Sequence, residues 1–327
     1  MKPRFAITCG DPCGIGPEIV IKALVNNSDL YENCHPIVFG DLEILHSTAK
    51  LLGYKIKFSR LSDFNQETFH SDTIYCYPIS PLPFRECYGK ICAEGGKHAF
   101  AYIEAAIKVA LKGQVNAMVT APINKESLKM AQVPFLDHTE ILTKLTSSKK
   151  TMTLFVTGNL RIFFYSRHIP FREISNALNI EELVDTLQGC HRHLEQIGIS
   201  KAKLALAALN PHGGEQGMFG DEEVKILIPS VQKALQLGLN VVGPIPADSV
   251  FHLAHEGHYD GVLSLYHDQG HIAAKTLDFH RTVSLTMGLP FLRTSVDHGT
   301  AFNIAGQGIA SEISLVEAIK AAQRYYW

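Results

Sequence analysis

The chain of 327 residues predicts an α/β protein built around a largely parallel sheet. Three observations carry that prediction. Strand and helix patterns alternate from one end to the other, the order that lays helices over the faces of a parallel sheet. Three stretches, 160–168, 203–212 and 259–267, are short apolar runs bounded by polar or turn residues, as suits strands covered on both faces. The composition, 46% hydrophobic and 19% charged, supplies a core of ordinary size.

The elements follow in order. Phe5-Ala-Ile-Thr8 predicts a first strand, and the segment from Pro17 to Leu24 opens a helix with proline near its first turn. His35 to Gly40 predicts a second strand, followed by a helix through Ser47 to Leu52. Residues 97–111 place apolar side chains at helical spacing, and Val115 to Thr120 is another buried strand. The stretch 70–95, rich in Pro and Tyr, predicts an irregular excursion or an extra hairpin. Residues 181–197 and 222–237 predict amphipathic helices, and 314–322 the last helix. Length predicts roughly two domains, but no linker, repeat or low-complexity segment marks a boundary.

A net charge of -2 gives no global attraction to nucleic acid or to an anionic membrane. Charged or polar residues interrupt every apolar run before about 18 residues, and the first residues lack the apolar stretch of a signal peptide. The seven cysteines, at 9, 13, 34, 76, 87, 92 and 190, are odd in number and form no CxxC pair. Free thiols and a cytoplasmic location are therefore expected.

The three strand-like runs each lead into a histidine: His168, His212 and His267. Ligands bind beyond the carboxyl ends of strands in open α/β sheets. Three imidazoles there predict one shared divalent ion with a coordination position left for substrate; the alternative is three unrelated polar strand ends. Asp268 either orients an imidazole or caps a helix. Gly10-Asp-Pro-Cys-Gly-Ile-Gly-Pro-Glu18 is either a ligand loop or a tight strand–helix turn, and it matches neither GxGxxG nor a P-loop. Lys125 follows a strand and either meets an anion or is solvated. Asp137-His138-Thr139-Glu140 opens a helix, where it serves as an anion site, an N-cap, or both. Lys275 and Arg293 suit a multiply anionic substrate if they stand beside the ion, and are otherwise surface charges. The segment 297–308 is rich in glycine and lets a ligand lie against backbone.

Seven segments run in order along nearly the whole chain: GDPCGIGPEI (10–19), TAPINKE (120–126), HTE (138–140), LNPHGGE (209–215), PADSVF (246–251), YHDQG (266–270) and GLPFLRTSVDHGTA (288–301). Together they resemble the 4-hydroxythreonine-4-phosphate dehydrogenase family of pyridoxine biosynthesis and its paralogues. Residues 298–310 also resemble the adenosine-binding loop of isopropylmalate and isocitrate dehydrogenases. The resemblance implies an isocitrate/isopropylmalate-dehydrogenase-like fold of two α/β/α domains flanking a cleft. One domain would be 1–120 with 271–327, binding NAD; the other, 121–270, would carry the metal and substrate site and the dimer contacts. It implies a homodimer with active sites shared between subunits, and one divalent ion (Zn, Mg, Mn or Co) on His168, His212 and His267. Substrate contacts map to His138, Thr139, Lys275, Ser284 and Arg293, and the catalytic set to Lys275, Asp268 and Asp248. Gly299, Thr300, Ala301, Asn303, Gly306 and Gly308 would hold NAD, or alternatively NADP.

The implied reaction is metal-assisted oxidation of 4-phosphohydroxy-L-threonine to a β-keto acid that then loses CO2. Several positions depart from that pattern. Ser284 stands where hydroxythreonine enzymes carry Asn, Asp137 where they carry Gly, and Arg167 where they carry Thr. His271-Ile and Phe302-Asn-Ile-Ala-Gly instead resemble paralogues acting on D-threonate or D-erythronate 4-phosphate. A cis-dihydrodiol substrate, acyl or phosphoryl transfer on a related fold, and a metal-dependent regulatory protein without turnover are remoter readings.

Overall fold

The buried apolar runs become strands and the amphipathic stretches the layers that cover them. The computed structural model describes residues 2–61, 64, 69–79 and 87–327. The chain divides into two units, Met1–Thr151 with Gly288–Trp327, and Met152–Met287. The first contains β1 (Arg4–Thr8), α1 (Gly16–Asn26), α2 (Leu30–Asn33), β2 (His35–Phe39), α3 (Leu42–Leu51), β3 (Lys57–Arg60), β4 (Thr73–Cys76), α4 (Ala93–Leu111), β5 (Ala117–Thr120), α5 (Lys125–Met130) and α6 (His138–Leu145). The second contains β6 (Met152–Thr157), β7 (Leu160–Phe164), α7 (Ile180–Gln196), β8 (Leu204–Ala207), α8 (Ile228–Gln236), β9 (Val241–Ile245), α9 (Ala247–His255), β10 (Gly261–Ser264), α10 (His267–Leu277) and β11 (Val283–Met287). The chain then returns to the first unit with β12 (Leu292–Val296) and α11 (Ile313–Tyr325).

In the first unit the strand order is β3-β4-β2-β1-β5-β12, with every pair parallel. In the second it is β11-β6-β7-β10-β8-β9, where β6 pairs antiparallel with both β11 and β7 and the rest are parallel. The units change over at 151 and 287, not at the expected 120 and 270. Two contacts explain the shift: α5 and α6 pack on α4, and β11 is tied to β6 by a ladder from Val283–Val156 to Met287–Met152.

Local chemistry sets the boundaries. α3 begins at Leu42, earlier than expected, because the Asp41 side chain accepts from the Glu43 and Ile44 N–H groups as an N-cap. The helix expected over 222–237 is split into a π-turn at Glu223–Leu227 and α8, since Pro229 has no N–H to continue the ladder. β4 and α4 flank the expected irregular excursion, of which residues 80–86 lie outside the described residues.

The core beneath the second unit's strands is Phe155, Ile162, Phe164, Val250, Phe251 and Val262, each 9% exposed or less. Each such side chain contributes about 1.5–3 kcal/mol when buried. α10 lies flush on this layer because Gly270 has no side chain; a Cβ there would stand 2.6 Å from Phe164 Cε1 and 2.8 Å from Ile162 Cγ2.

The expectation of free thiols is corrected at two positions: the sulfurs of Cys13 and Cys87 lie within bonding distance. The Gly89 N–H donates to the Cys13 carbonyl at 2.8 Å and draws the two segments together. Cys9, Cys34, Cys76, Cys92 and Cys190 form no disulfide. Among the described residues, no helix is long and apolar enough to cross a membrane.

Candidate active site

β7, β10 and β8 are neighbours and parallel, so their carboxyl ends share one edge. His168, His267 and His212 follow those ends at a short remove: the strands stop at Phe164, Ser264 and Ala207, with His168 and His212 on the turns beyond and His267 at the start of the next helix. The turns are tied together. Tyr165 and Ser166 donate their N–H groups to the Ser264 and Leu265 carbonyls at 2.8 and 3.2 Å. The buried Gln269 side chain accepts from the Leu265 N–H at 2.7 Å and donates to the Ala208 carbonyl at 2.8 Å. One amide thus joins the ends of β10 and β8, a positioning role that the sequence reading missed. The signal was a glutamine two residues after a candidate ligand and next to a glycine.

His267 opens α10. Its Nδ1–H donates to Asp268 Oδ1 at 2.6 Å, which leaves Nε2 as the ring nitrogen with a lone pair to offer. Its ring stacks on His271 with centroids 3.6 Å apart, and His271 in turn packs on Phe155 and Phe164 at 4.3 and 4.9 Å. Burial foremost, then the proximity of His267 and Lys275, pushes the His271 imidazole down to about 3. It is therefore a neutral stacking platform at physiological pH. The His168 ring centroid lies 5.9 Å from that of His267. Both line a cavity of about 270 Å³ with Arg167, Tyr266 and Asp268. Lys275, on the same helix, sets its ammonium 5.4 Å from the Phe279 ring centroid.

His212 stands on a third turn, the one that follows β8. The nitrogens of His168, His212 and His267 do not all come within 4.8 Å of one another in this conformation. His212 begins a run of left-handed residues with φ values of 53, 69, 78, 43, 56 and 99° through Gly217, and its ring lies 6.4 Å from that of Phe219. Non-glycine residues pay roughly 1–3 kcal/mol each for such backbone, so the surroundings must impose the turn. Buried Glu223 does so, accepting from the Leu209 and Asn210 N–H groups at 2.8 Å and from Asn210 Nδ2 at 2.8 Å. Asp248 is exposed on α9, and Ser284 is half-buried on β11 opposite Phe155; neither lines the cavity.

The first unit brings Lys125, Asp137, His138 and Arg293 together. Asp137 caps α6, accepting from the Glu140 N–H at 3.0 Å, while its other oxygen lies 3.7 Å from Lys125 Nζ. His138 and Thr139 form the first turn of α6, where helix N–H groups favour anions. His138 Nε2 is buried without a hydrogen-bond partner among the described residues. Burial and then Arg293 hold its imidazole well below the usual range. Arg293, 5% exposed, donates from Nε and Nη2 to Thr120 Oγ1 at 3.0 and 2.7 Å. Burial lowers Arg293 to about 10, so it stays charged near neutrality.

The glycine-rich segment is a succession of turns. Ile304 donates to the Ala301 carbonyl at 3.0 Å and Gln307 to that of Ile304 at 3.2 Å, with positive φ at Ala301, Gly306 and Gly308. The GDPCGIGPE motif serves it structurally. Gly16 allows a close approach, since a Cβ would stand 1.9 Å from the Cys9 carbonyl oxygen. Ile15 donates to the Thr300 carbonyl at 3.0 Å. Buried Glu18 accepts from the Ala310 N–H and from Lys22 at 2.8 Å each. Gly299, Thr300, Ala301, Asn303, Gly306 and Gly308 therefore lie on one braced loop whose small residues suit a nucleotide against backbone. For a divalent ion, the donor set also fits: two neighbouring imidazoles, one oriented by a carboxylate as metal-bound histidines usually are.

Residues 32–322 match the family model described as "Pyridoxal phosphate biosynthetic protein PdxA". A Clostridium botulinum (strain Langeland) protein named provisionally as a D-threonate 4-phosphate dehydrogenase is 45% identical over 325 residues, 99% of this chain and 97% of its own length. A Halalkalibacterium halodurans protein with the same provisional name is 47% identical over the same shares. The crystal structure of 4-hydroxythreonine-4-phosphate dehydrogenase from Klebsiella pneumoniae superposes with a TM-score of 0.91 at 38% identity, covering 99% of this chain and 98% of that one. With its α/β fold, its strand-end histidines and these likenesses, the chain belongs to the PdxA family, whose named members here are dehydrogenases.

Proposed function

We propose that the protein oxidises a secondary alcohol of a phosphorylated four-carbon hydroxy acid, with NAD as hydride acceptor and a divalent ion as helper, and that D-threonate 4-phosphate is preferred to 4-phosphohydroxy-L-threonine. The observation that carries the chemistry is the pairing of His168 and His267, rings 5.9 Å apart, beyond adjacent parallel strands with Asp268 on His267 Nδ1. The substrate order rests on the two relatives at 45% and 47% identity named for D-threonate 4-phosphate. It rests also on Ser284, where the resemblance implies Asn for hydroxythreonine enzymes.

A divalent ion on His168, His267 and His212, when bound, supplies the Lewis acidity that lowers the pKa of the reacting hydroxyl. The chain's own groups do the rest. Asp268 fixes the His267 tautomer that presents Nε2 and raises its basicity. The carbon being oxidised gives its hydride to NAD and its hydroxyl a proton to solvent. The resulting ketone is β to the carboxylate, so CO2 leaves and a proton is taken up at carbon; D-threonate 4-phosphate yields dihydroxyacetone phosphate. Lys275 is the cation suited to hold the charge that develops as CO2 departs. A terminal phosphate is the anion that Arg293, His138 and Thr139 suit, and Asp248 is assigned a supporting role. The loop from Gly299 to Gly308 takes the adenosine end of the cofactor. A homodimer with shared active sites and a cytoplasmic location complete the reading.

The test is formation of reduced nicotinamide by purified protein given NAD with D-threonate, D-erythronate or hydroxythreonine 4-phosphate. D-threonate 4-phosphate is expected to give the highest kcat/KM, a chelator to abolish turnover, and added divalent ion to restore it. If no phosphate reduces NAD while acetyl-CoA turns over, the acyltransferase reading replaces this one. Turnover untouched by a chelator would remove the ion from the mechanism.

A further inference from the structure

The second group of interest lies in the first unit and has no place in the reaction above. Cys13 sits in the turn between β1 and α1, Cys87 on the approach to α4, and Cys92 at the N-cap of α4. Cys92 Sγ is 3.5 Å from Cys13 Sγ and 3.3 Å from Cys87 Sγ, and the latter two sulfurs are within bonding distance of each other. Among the described residues, this is the one set of three His, Cys, Asp or Glu side chains whose ligand atoms all lie within 4.8 Å of one another.

The surroundings are built to hold the three together. Asp11 Oδ1 accepts from the Cys13 N–H at 2.9 Å, and the Gly89 N–H donates to the Cys13 carbonyl at 2.8 Å. The Gly95 N–H donates to Cys92 Sγ at 3.4 Å. Cys92 also stands at the amino end of a 19-residue helix, whose dipole favours a thiolate. Cys13 is buried and the other two are half-buried, so the cluster can be reached from solvent.

We propose that the reduced Cys13–Cys87–Cys92 cluster is a binding site for one thiophilic divalent cation, zinc in the first instance, through three thiolates. A disulfide between Cys13 and Cys87 occupies two sulfurs and gives the third no task, whereas one ion engages all three. Three thiolates with a fourth position left to water or a small ligand match the tetrahedral preference of zinc, and soft sulfur ligands select it over magnesium or calcium. Each thiol releases its proton as it coordinates, so binding weakens at low pH. Ile15, two residues after Cys13, donates to the Thr300 carbonyl at 3.0 Å. The ion therefore pins the β1–α1 turn and the start of α4 beside the braced 299–308 loop. Sequence scanning passes over this site because the third ligand is 74 residues before Cys87.

The experiment uses the full chain, reduced and freed of metal under anaerobic conditions, and titrated with Co2+. A thiolate-to-cobalt charge-transfer band in the near ultraviolet is expected, saturating at one ion per chain and lost on adding Zn2+; imidazole ligands give no such band. Cys92→Ser should abolish the band, and His168→Ala should leave it intact, which separates this site from the histidine site. Should the serine variant fold poorly, the wild-type chain supplies the second readout: zinc should protect three of its seven thiols from alkylation. The proposal falls if the reduced wild type gives no band, if the band survives in Cys92→Ser, or if zinc protects no thiol.

Discussion

Asp268 Oδ1 stands 2.6 Å from His267 Nδ1, though the two residues are consecutive at the start of α10. The carboxylate turns back along its own helix end to take the ring proton, and the ring is pressed onto His271 at 3.6 Å. A surface aspartate thereby decides which nitrogen of a histidine faces the cavity. Asp268→Asn keeps the shape but not the charge and weakens that control. A loss of about tenfold to a hundredfold in divalent-ion affinity is expected, read by competition with a chromophoric chelator. Unchanged affinity would mean that the carboxylate does not control the ligand nitrogen.

Gly270 is the second lever on His267. In Gly270→Ala the new methyl meets Phe164 and Ile162 at 2.6 and 2.8 Å. Overpacking of this kind costs about 1–3 kcal/mol, against about 1 kcal/mol gained in helix propensity. The net expectation is a lower urea midpoint together with weaker ion binding, because α10 must lift and carry His267 with it. A rise in the midpoint would show that the Phe164 ring simply moves aside.

Arg293 makes two hydrogen bonds to Thr120 Oγ1 from a buried guanidinium. Lysine keeps the charge but cannot reproduce the planar pair. Hydrogen bonds to charged groups contribute about 1.5–3 kcal/mol, so Arg293→Lys is expected to raise KM for a phosphorylated substrate about tenfold to a hundredfold. Initial rates over a range of substrate concentrations check it. A fall in kcat with KM unchanged would place Arg293 outside phosphate binding.

His138 yields a pH dependence of definite sign. Its folded-state pKa is depressed, first by burial and then by Arg293, whereas in the unfolded chain it titrates near about 6.5. The unfolded state therefore binds the extra proton. The contribution to stability is complete above about 6.5 and is lost as pH falls below it, at about 1.4 kcal/mol per pH unit for one proton, until the folded-state pKa is reached. His138→Gln should lose less stability between neutral and mildly acid pH than the parent chain, measured by urea unfolding at each pH. Equal losses would show that His138 accepts its proton in the folded protein.

Much of this was legible without coordinates because it depends on neighbours in the chain. The buried strands Leu160–Phe164, Leu204–Ala207 and Gly261–Ser264 stand out as apolar runs. Proline near the start of α1 and Asp137 at the cap of α6 mark helix ends by chemistry that acts within a few residues. The seven ordered motifs, and the family they imply, are likewise properties of the chain alone. What only the tertiary structure decided involves residues far apart in sequence. The amide of Gln269 spans from β10 to the Ala208 carbonyl beyond β8, Glu223 imposes the left-handed turn on which His212 stands, and Glu18 braces Ala310. Cys13 reaches Cys87 and Cys92 across more than seventy residues. Periodicity and capping record the local backbone preference, while the meeting of distant side chains depends on how strands are ordered and helices laid upon them, which no spacing along the sequence records.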